Sequence, residues 1–159
     1  MKKHHNYLIT LLFLGFILLL AGCNFDCMFD KSLEIPNSQW SKKQPLVFDV
    51  PVMDTIHGFN LLLNVRNTNK FPYSNCYFFI STRSPKGIIL RDTLQYIFAN
   101  ETGKWLGKGF GGVWSNYFHY KNNIRFPYKG NYKVEIYQAM RDEPLNGLMD
   151  VGFRIEQVK

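Results

Sequence analysis

The stretch LVFDVPV, residues 46–52, decides the fold class, because its apolar side chains recur at every second position. One face carries four of them: Leu46, Phe48, Val50 and Val52. The other face holds Val47, the charged Asp49 and Pro51, and side chains alternate between faces in this way along a β-strand. Pro51 has no amide hydrogen to donate, which favours an edge strand or a strand end. We therefore predict a half-buried strand here.

The same two-residue period recurs along the rest of the chain. Apolar side chains alternate within the segments 59–66, 88–98, 114–126, 132–140 and 149–156, while residues 75–83 are apolar on both faces at the centre, which predicts an interior strand. Turn signals such as Ser84-Pro85-Lys86-Gly87 separate these segments, and none shows a convincing helical stripe. Seven or eight short strands of this kind predict an all-β fold, an antiparallel β-sandwich with Greek-key or jelly-roll connections. An up-and-down barrel is the second choice.

The N-terminal region combines positive charge with a short apolar run. Lys2 and Lys3 precede 16 uncharged, leucine-rich residues, Tyr7 to Gly22. A membrane-spanning helix needs about 20 apolar residues, so the run predicts a secretory signal. Its end, Leu19-Leu20-Ala21-Gly22-Cys23, resembles the bacterial lipoprotein cleavage box, in which a lipid is attached to the cysteine thiol and the signal is cut before it.

Cys23 is therefore the predicted lipidation site and the mature N-terminus. Acyl chains on its sulfur and amine would hold the protein on a membrane, because each buried methylene contributes about 0.8 kcal/mol and two or more chains attach stably. We expect a signal peptide over residues 1–22, a lipidated N-terminus and tether over residues 23–44, and the β-sandwich domain over residues 45–159.

The charge distribution argues against nucleic acid as a partner. The formal net charge is +7, but the basic residues are scattered and no block of five or six like charges occurs. Mild basicity suits an anionic bilayer or a surface polysaccharide, and it equally suits simple solvation of the surface.

The nucleophilic and metal-ligating residues form no recognisable catalytic pattern. The sequence has no nucleophile elbow, no zinc-protease motif and no C-x-x-C spacing, and His57 and His119 are isolated from each other. We expect no enzymatic activity, no metal and no cofactor. Cys76 is predicted to be a small buried hydrophobic residue, although an oxidising compartment would also permit a bridge to Cys27.

The segment GKWLGKGFGGV, residues 103–113, is the candidate binding loop. Five glycines interrupt Trp105 and Phe110, and Trp114 follows directly. Aromatic faces can stack on sugar rings or on a peptide, while glycines let a partner approach the backbone. The alternative is a sharply bent connection in which Trp105 fills the core.

The segment QAMRDEPLNGLMDVGFRI, residues 138–155, joins the last two predicted strands through a turn at Asn146-Gly147. Arg141 is expected to pair with Asp150 across this hairpin. Such an exposed ion pair contributes about 0–1 kcal/mol, so the segment is interpreted as structural.

Several stretches together resemble the GldH family of gliding-motility lipoproteins, found in Bacteroidota. They follow the family's order over nearly the whole mature chain: LAGC at 20–23, VMDT at 52–55, NVRNTNKFPYSN at 64–75, RDTLQYIFAN at 91–100, GKWLGKGFG at 103–111 and QAMRDEPLNGLMDVG at 138–152. Phe71 is a small departure from the family's pattern.

The resemblance implies a lipoprotein needed for the assembly or working of the envelope motility and type IX secretion apparatus, acting without catalysis. Only the lipidated Cys23 carries over as a functional residue. The implied partners are a membrane, reached through that anchor, and other cell-envelope proteins, with a glycan as the alternative ligand. Asn24 after Cys23 permits the outer membrane, where we expect the periplasmic face rather than the cell surface.

Overall fold

A computed structural model describes residues 27–158, which form eleven strands and no α-helix. The strands are β1 (Cys27–Glu34), β2 (Gln39–Trp40), β3 (Leu46–Val52), β4 (Phe59–Thr68), β5 (Asn75–Arg83), β6 (Ile89–Ile97), β7 (Lys108–Phe110), β8 (Val113–Ile124), β9 (Gly130–Gln138), β10 (Leu145–Asn146) and β11 (Leu148–Gln157). A short 3-10 turn, Pro36–Ser38, precedes β2. Among these residues, no helix is long and apolar enough to cross a membrane.

The strands form two large antiparallel sheets. The five-stranded sheet has the order β1-β11-β4-β8-β7, the four-stranded sheet has the order β3-β9-β5-β6, and β2 pairs with β10 in a small third sheet. Within the large sheets only β5–β6 and β7–β8 are consecutive neighbours, so the connections are not up-and-down. The predicted all-β sandwich is confirmed. The structure adds β1 and three short strands, β2, β7 and β10, to the seven segments predicted from the sequence.

The predicted tether is partly a strand. Residues 27–34 lie in β1, which pairs with β11 along the edge of the five-stranded sheet. Periodicity missed this strand because an edge strand buries little of either face, and no residue of β1 is fully buried. Phe29 nevertheless packs on Phe153, with ring centroids 6.3 Å apart. The predicted lipidation site Cys23 and the predicted signal peptide, residues 1–22, lie outside the described residues.

Aromatic rings from both sheets pack among aliphatic side chains in the space between the sheets. Phe48 and Phe153 meet from opposite sheets, with centroids 5.9 Å apart, and both are buried. Cys76 is fully buried in the same core, which confirms that prediction, and burial raises the pKa of its thiol. Cys27 and Cys76 are free thiols in different sheets, so the permitted bridge is not formed.

Side chains of β6 and β8 close one side of the sandwich. Tyr96 stacks on Phe118 with centroids 4.3 Å apart, and the Tyr96 hydroxyl donates to the backbone oxygen of His119. The Tyr120 hydroxyl donates to Asp92 at 2.5 Å. These contacts join the two sheets where no backbone ladder does.

The sandwich has two ends with different loops. The basal end holds the start of β1 at Cys27, the end of β11, and three connections that we call the basal loops: residues 53–58, 84–88 and 125–129. The distal end holds the remaining connections, including the candidate binding loop. This division follows from the strand registers, because β1 runs from the basal end and all neighbouring strands are antiparallel.

Gly147 sits where two segments of the distal end meet. Its φ is +90°, and a Cβ added there would lie 2.3 Å from the backbone nitrogen of Phe71. We expect Gly147→Ala to destabilise the fold by about 2 kcal/mol more than Gly87→Ala, because overpacking typically costs about 1–3 kcal/mol. Gly87 is the matched control, since its φ is +81° and no atom lies within 4 Å of its added Cβ.

Urea unfolding of the detergent-solubilised protein, followed by tryptophan fluorescence, measures both free energies. The left-handed backbone conformation penalises both alanines by a similar amount, about 1–2 kcal/mol, so the difference isolates the steric contact. Equal losses in the two variants would contradict the close approach of Gly147 to Phe71.

Candidate interaction surface

The candidate binding loop ends in a tight hairpin. Gly111 and Gly112 are the two residues between β7 and β8, and both have positive φ, as a two-residue hairpin turn requires. Phe110 pairs with Val113 beside this turn, and its side chain is 95% exposed. The glycines therefore position an apolar ring at a protruding tip.

The two tryptophans of the predicted binding set contact neighbouring segments of the fold. Trp105 packs on Phe71 with ring centroids 6.3 Å apart and is half-buried against the core. The indole nitrogen of Trp114 donates to the side-chain oxygen of Asn69 at 2.8 Å, which ties β8 to the β4–β5 connection. Within the described part of the chain, no ring contact joins Trp105, Phe110 and Trp114 to one another, and Phe110 is the most exposed of the three.

Phe110 belongs to a larger exposed apolar group, which we call the distal patch: Ile97, Leu106, Phe110 and Tyr117. Ile97, Leu106 and Tyr117 line one depression of about 440 Å³. The Leu106 amide donates to the backbone oxygen of Phe98 at 2.8 Å, which holds Leu106 beside the end of β6. Phe110 and Tyr117 share a face of the β7–β8 hairpin, because Phe110 pairs with Val113 and Val113 lies four residues before Tyr117 on β8.

The sequence indicated the distal patch through large apolar residues at positions that alternation assigns to the outward face. Tyr117 and Ile97 occupy odd positions, opposite the even positions that face the core in β6 and β8. A large apolar side chain on the outward face of a strand is solvated unless a partner covers it. Lys108 lies among these residues, so the depression has a basic rim.

Asp150 lies in a polar pocket and not on an exposed hairpin. The predicted pair with Arg141 is wrong: the Arg66 Nε donates to Asp150 Oδ2 at 2.7 Å, and this bond raises the pKa of Arg66. Asp150 is only 3% exposed because the turn at Pro36–Ser38 covers that face of β11. Its other carboxylate oxygen has no partner among the described residues.

The pocket around Asp150 has a volume of about 370 Å³ and a polar lining that includes Ser32, Glu34 and Arg66. It offers hydrogen-bonding groups of both charges but no nucleophile paired with a base. Across residues 27–158, no three His, Cys, Asp or Glu side chains are placed to hold a metal ion. Neither observation assigns a reaction to this part of the molecule.

Fold and surface together define a β-sandwich domain with an exposed apolar patch at one end. The chain belongs to the GldH lipoprotein family, whose model matches residues 27–155. Membership in a lipoprotein family places it at a membrane of the cell envelope, and the family is involved in gliding motility. The resemblance found in the sequence motifs is thereby confirmed.

Two relatives are similar over most of their length. The gliding motility lipoprotein GldH of Flavobacterium johnsoniae is 38% identical over 154 residues, covering 90% of this chain and 95% of the relative. A GldH homolog of Christiangramia forsetii is 35% identical over 153 residues, covering 92% and 93%. A family 35 carbohydrate binding module from Clostridium thermocellum superposes with a TM-score of 0.33 at 10% identity, covering 77% of this chain and 97% of that chain, which is too distant to inform function.

Proposed function

We propose that this protein is a non-catalytic assembly component of the motility or type IX secretion machinery of the cell envelope. Acyl chains on Cys23 hold it on the periplasmic face of the outer membrane, and the distal patch contacts a neighbouring envelope protein. Family membership supports the process, and the distal patch is the observation that supports a role in binding.

The position of the distal patch suits this role. It lies at the end of the sandwich opposite Cys27, and Cys27 is only four residues from the proposed anchor. An apolar group at the far end of an anchored domain is directed away from the lipid and toward neighbouring proteins. Lys108 at the rim favours a partner whose own apolar surface is bordered by acidic side chains.

Replacement of two aromatic side chains tests the proposal. We expect a Phe110→Ser/Tyr117→Ser variant to recover envelope partners from detergent-solubilised membranes of the native host about 30-fold less well than the wild type. Loss of a central aromatic contact typically costs about 2 kcal/mol or more in binding free energy. Quantitative mass spectrometry of affinity-purified protein measures the recovery.

Phe79→Ser is the matched control, because Phe79 is also an exposed aromatic residue but lies in the middle of β5 on the four-stranded sheet. Equal recovery by the patch variant, the control and the wild type would count decisively against a binding role for the distal patch.

The alternative is a glycan-binding module. It rests on the exposure of Phe110, whose ring is free to stack on a sugar at the hairpin tip. Binding of the wild type to a glycan array, lost in a folded Phe110→Ala variant, would favour this alternative over protein contact.

A further inference from the structure

The basal end lies close to the proposed lipid anchor. Three residues, 24–26, separate Cys23 from Cys27, the first residue of β1. A polypeptide advances at most about 3.6 Å per residue, so Cys27 lies within about 14 Å of the anchoring cysteine. If Cys23 is lipidated as proposed above, the basal loops must therefore be near the membrane surface.

One basal loop presents two large apolar side chains to solvent. Met53 is 73% exposed and Ile56 is 76% exposed. Met53 also lines a surface depression together with Cys27, which places this loop directly beside the start of β1. These side chains are therefore among the nearest exposed apolar groups to the chain that leads to the anchor.

The loop that carries Met53 and Ile56 is held in one shape by Asp54. One carboxylate oxygen accepts hydrogen bonds from the amides of Ile56 and His57, at 2.8 and 3.1 Å, and the other contacts His57 Nδ1 at 2.5 Å. The side-chain bond to His57, followed by the two amide bonds, lowers the pKa of Asp54 to about 2. Ile56 is thus exposed by a built turn and not by a lack of structure.

The other two basal loops add basic and apolar groups beside the first. Lys86, Arg125 and Lys129 are basic, whereas Asp54 is the one acidic residue in the three loops. The loops at 84–88 and 125–129 contact each other, since Lys86 Nζ lies 4.1 Å from the centroid of the Tyr128 ring. Together the three basal loops present positive charge around the exposed apolar side chains of residues 53–58.

An apolar cleft opens beside these cations. It has a volume of about 210 Å³, and its lining includes Ile88, Leu90, Phe126 and Tyr128. Ile88 and Leu90 are large apolar residues with exposed side chains. Exposed apolar groups surrounded by Lys and Arg are the pattern that binds the interface of an anionic membrane, because the apolar groups enter the acyl boundary and the cations meet the headgroups.

We propose that the basal end is a membrane-contact surface on the leaflet that holds the lipid anchor. Met53 and Ile56 enter the interfacial region, while Lys86, Arg125 and Lys129 lie against anionic headgroups. This inference rests on the proposed lipidation of Cys23. The contact fixes the orientation of the sandwich, with the basal end on the lipid and the distal patch pointing away from it.

Depth-dependent quenching of a fluorophore tests the contact with the full lipidated chain in vesicles. A label is placed at Ile56→Cys, or at Phe110→Cys as the distal control, in a Cys27→Ser background. Cys76 is buried and Cys23 carries the lipid, so the label reacts at the engineered thiol. In vesicles of phosphatidylethanolamine and phosphatidylglycerol, we expect spin-labelled lipid to quench the label at position 56 several-fold more than the label at position 110.

The charge requirement is tested by Lys86→Gln/Arg125→Gln/Lys129→Gln. We expect this variant to lose about half or more of the quenching at position 56 in the anionic vesicles, but not in phosphatidylcholine vesicles, where the headgroups carry no net charge. Unchanged quenching in the anionic vesicles would show that Lys86, Arg125 and Lys129 do not contribute to the membrane contact.

Flotation of the vesicles distinguishes a failure of the lipid anchor from a failure of the membrane contact. Protein that floats, with the same quenching at positions 56 and 110, overturns the membrane-contact surface and leaves the anchor intact. Protein that does not float overturns the anchor, and with it the contact that depends on it. Floating protein with selective quenching at position 56 supports both.

Discussion

In a Cys23→Ala variant, incorporation of a palmitate analogue is expected to fall to background, and the chain is expected to keep residues 1–22. In the proposed modification the lipid is attached to the cysteine thiol, and alanine has no group that can take its place. Because cleavage of a lipoprotein signal follows lipid attachment, the unmodified chain should stay 22 residues longer than the mature one. Gel mobility and intact-protein mass spectrometry measure both effects.

Cys27→Ala is the control for this experiment, because Cys27 is a free thiol four residues away. It should keep the label and lose the signal normally. Protease treatment of intact cells then tests the proposed face: wild-type protein on the periplasmic side is protected until the outer membrane is opened. An unlabelled wild type with residues 1–22 still attached would refute the lipid anchor.

Phe153→Ala is expected to lower the free energy of unfolding by about 3–5 kcal/mol, the usual cost of removing a buried ring. Phe153 is 1% exposed at the centre of the sandwich. Its ring lies 5.9 Å from that of Phe48 in the other sheet and 6.3 Å from that of Phe29 in the edge strand. One substitution therefore weakens both the contact between the sheets and the packing of β1.

A loss of this size is a large fraction of the total stability of an ordinary domain, about 5–15 kcal/mol. Chemical unfolding of the detergent-solubilised protein measures it. Tyr117→Ala is the control on the same sheet, since Tyr117 is exposed and its loss should change stability by no more than about 0.5 kcal/mol. If the two variants unfold at the same denaturant concentration, Phe153 does not join the sheets as described.

Alternation identified the strands that have one buried face. Residues 46–52 were predicted to be a strand with Phe48 and Val50 inside, and both are buried in β3. The same reasoning placed Cys76 in the core. It failed for β1, because an edge strand with little burial on either face leaves no periodic trace in the sequence.

The candidate site could be predicted only in part. The glycines of the 103–113 segment indicated a bent, exposed connection, and the hairpin tip with Phe110 has that character. The alternative interpretation of this segment, with Trp105 against the core, agrees with its packing on Phe71. The local pattern did not identify Phe71 as the partner of Trp105 or show that Trp114 would reach Asn69. Both contacts cross between segments that are more than 30 residues apart in sequence.

The burial and the ion-pair partner of Asp150 could not be predicted from the local sequence either. Its position in the alternation assigned it correctly to the outward face of β11, yet it is buried, because the turn at Pro36–Ser38 crosses that face. Its ion-pair partner is Arg66 on the neighbouring strand, brought alongside by the β4–β11 register. The partner of such a side chain depends on which strands pair, and strand pairing cannot be predicted from the local sequence.

The sequence by itself determined the all-β class and the family, and it alone carries the prediction of lipidation at Cys23, because each depends on residue order over a short span: a period of two, a run of motifs, a cleavage box. Only the tertiary structure decided which apolar residues stay exposed and at which end they gather. Ile97, Leu106 and Tyr117 lie on separate segments, as do Ile56 and the basic residues of the other basal loops. Their proximity is produced by the crossing of the chain between two sheets, which joins distant segments without leaving a local pattern.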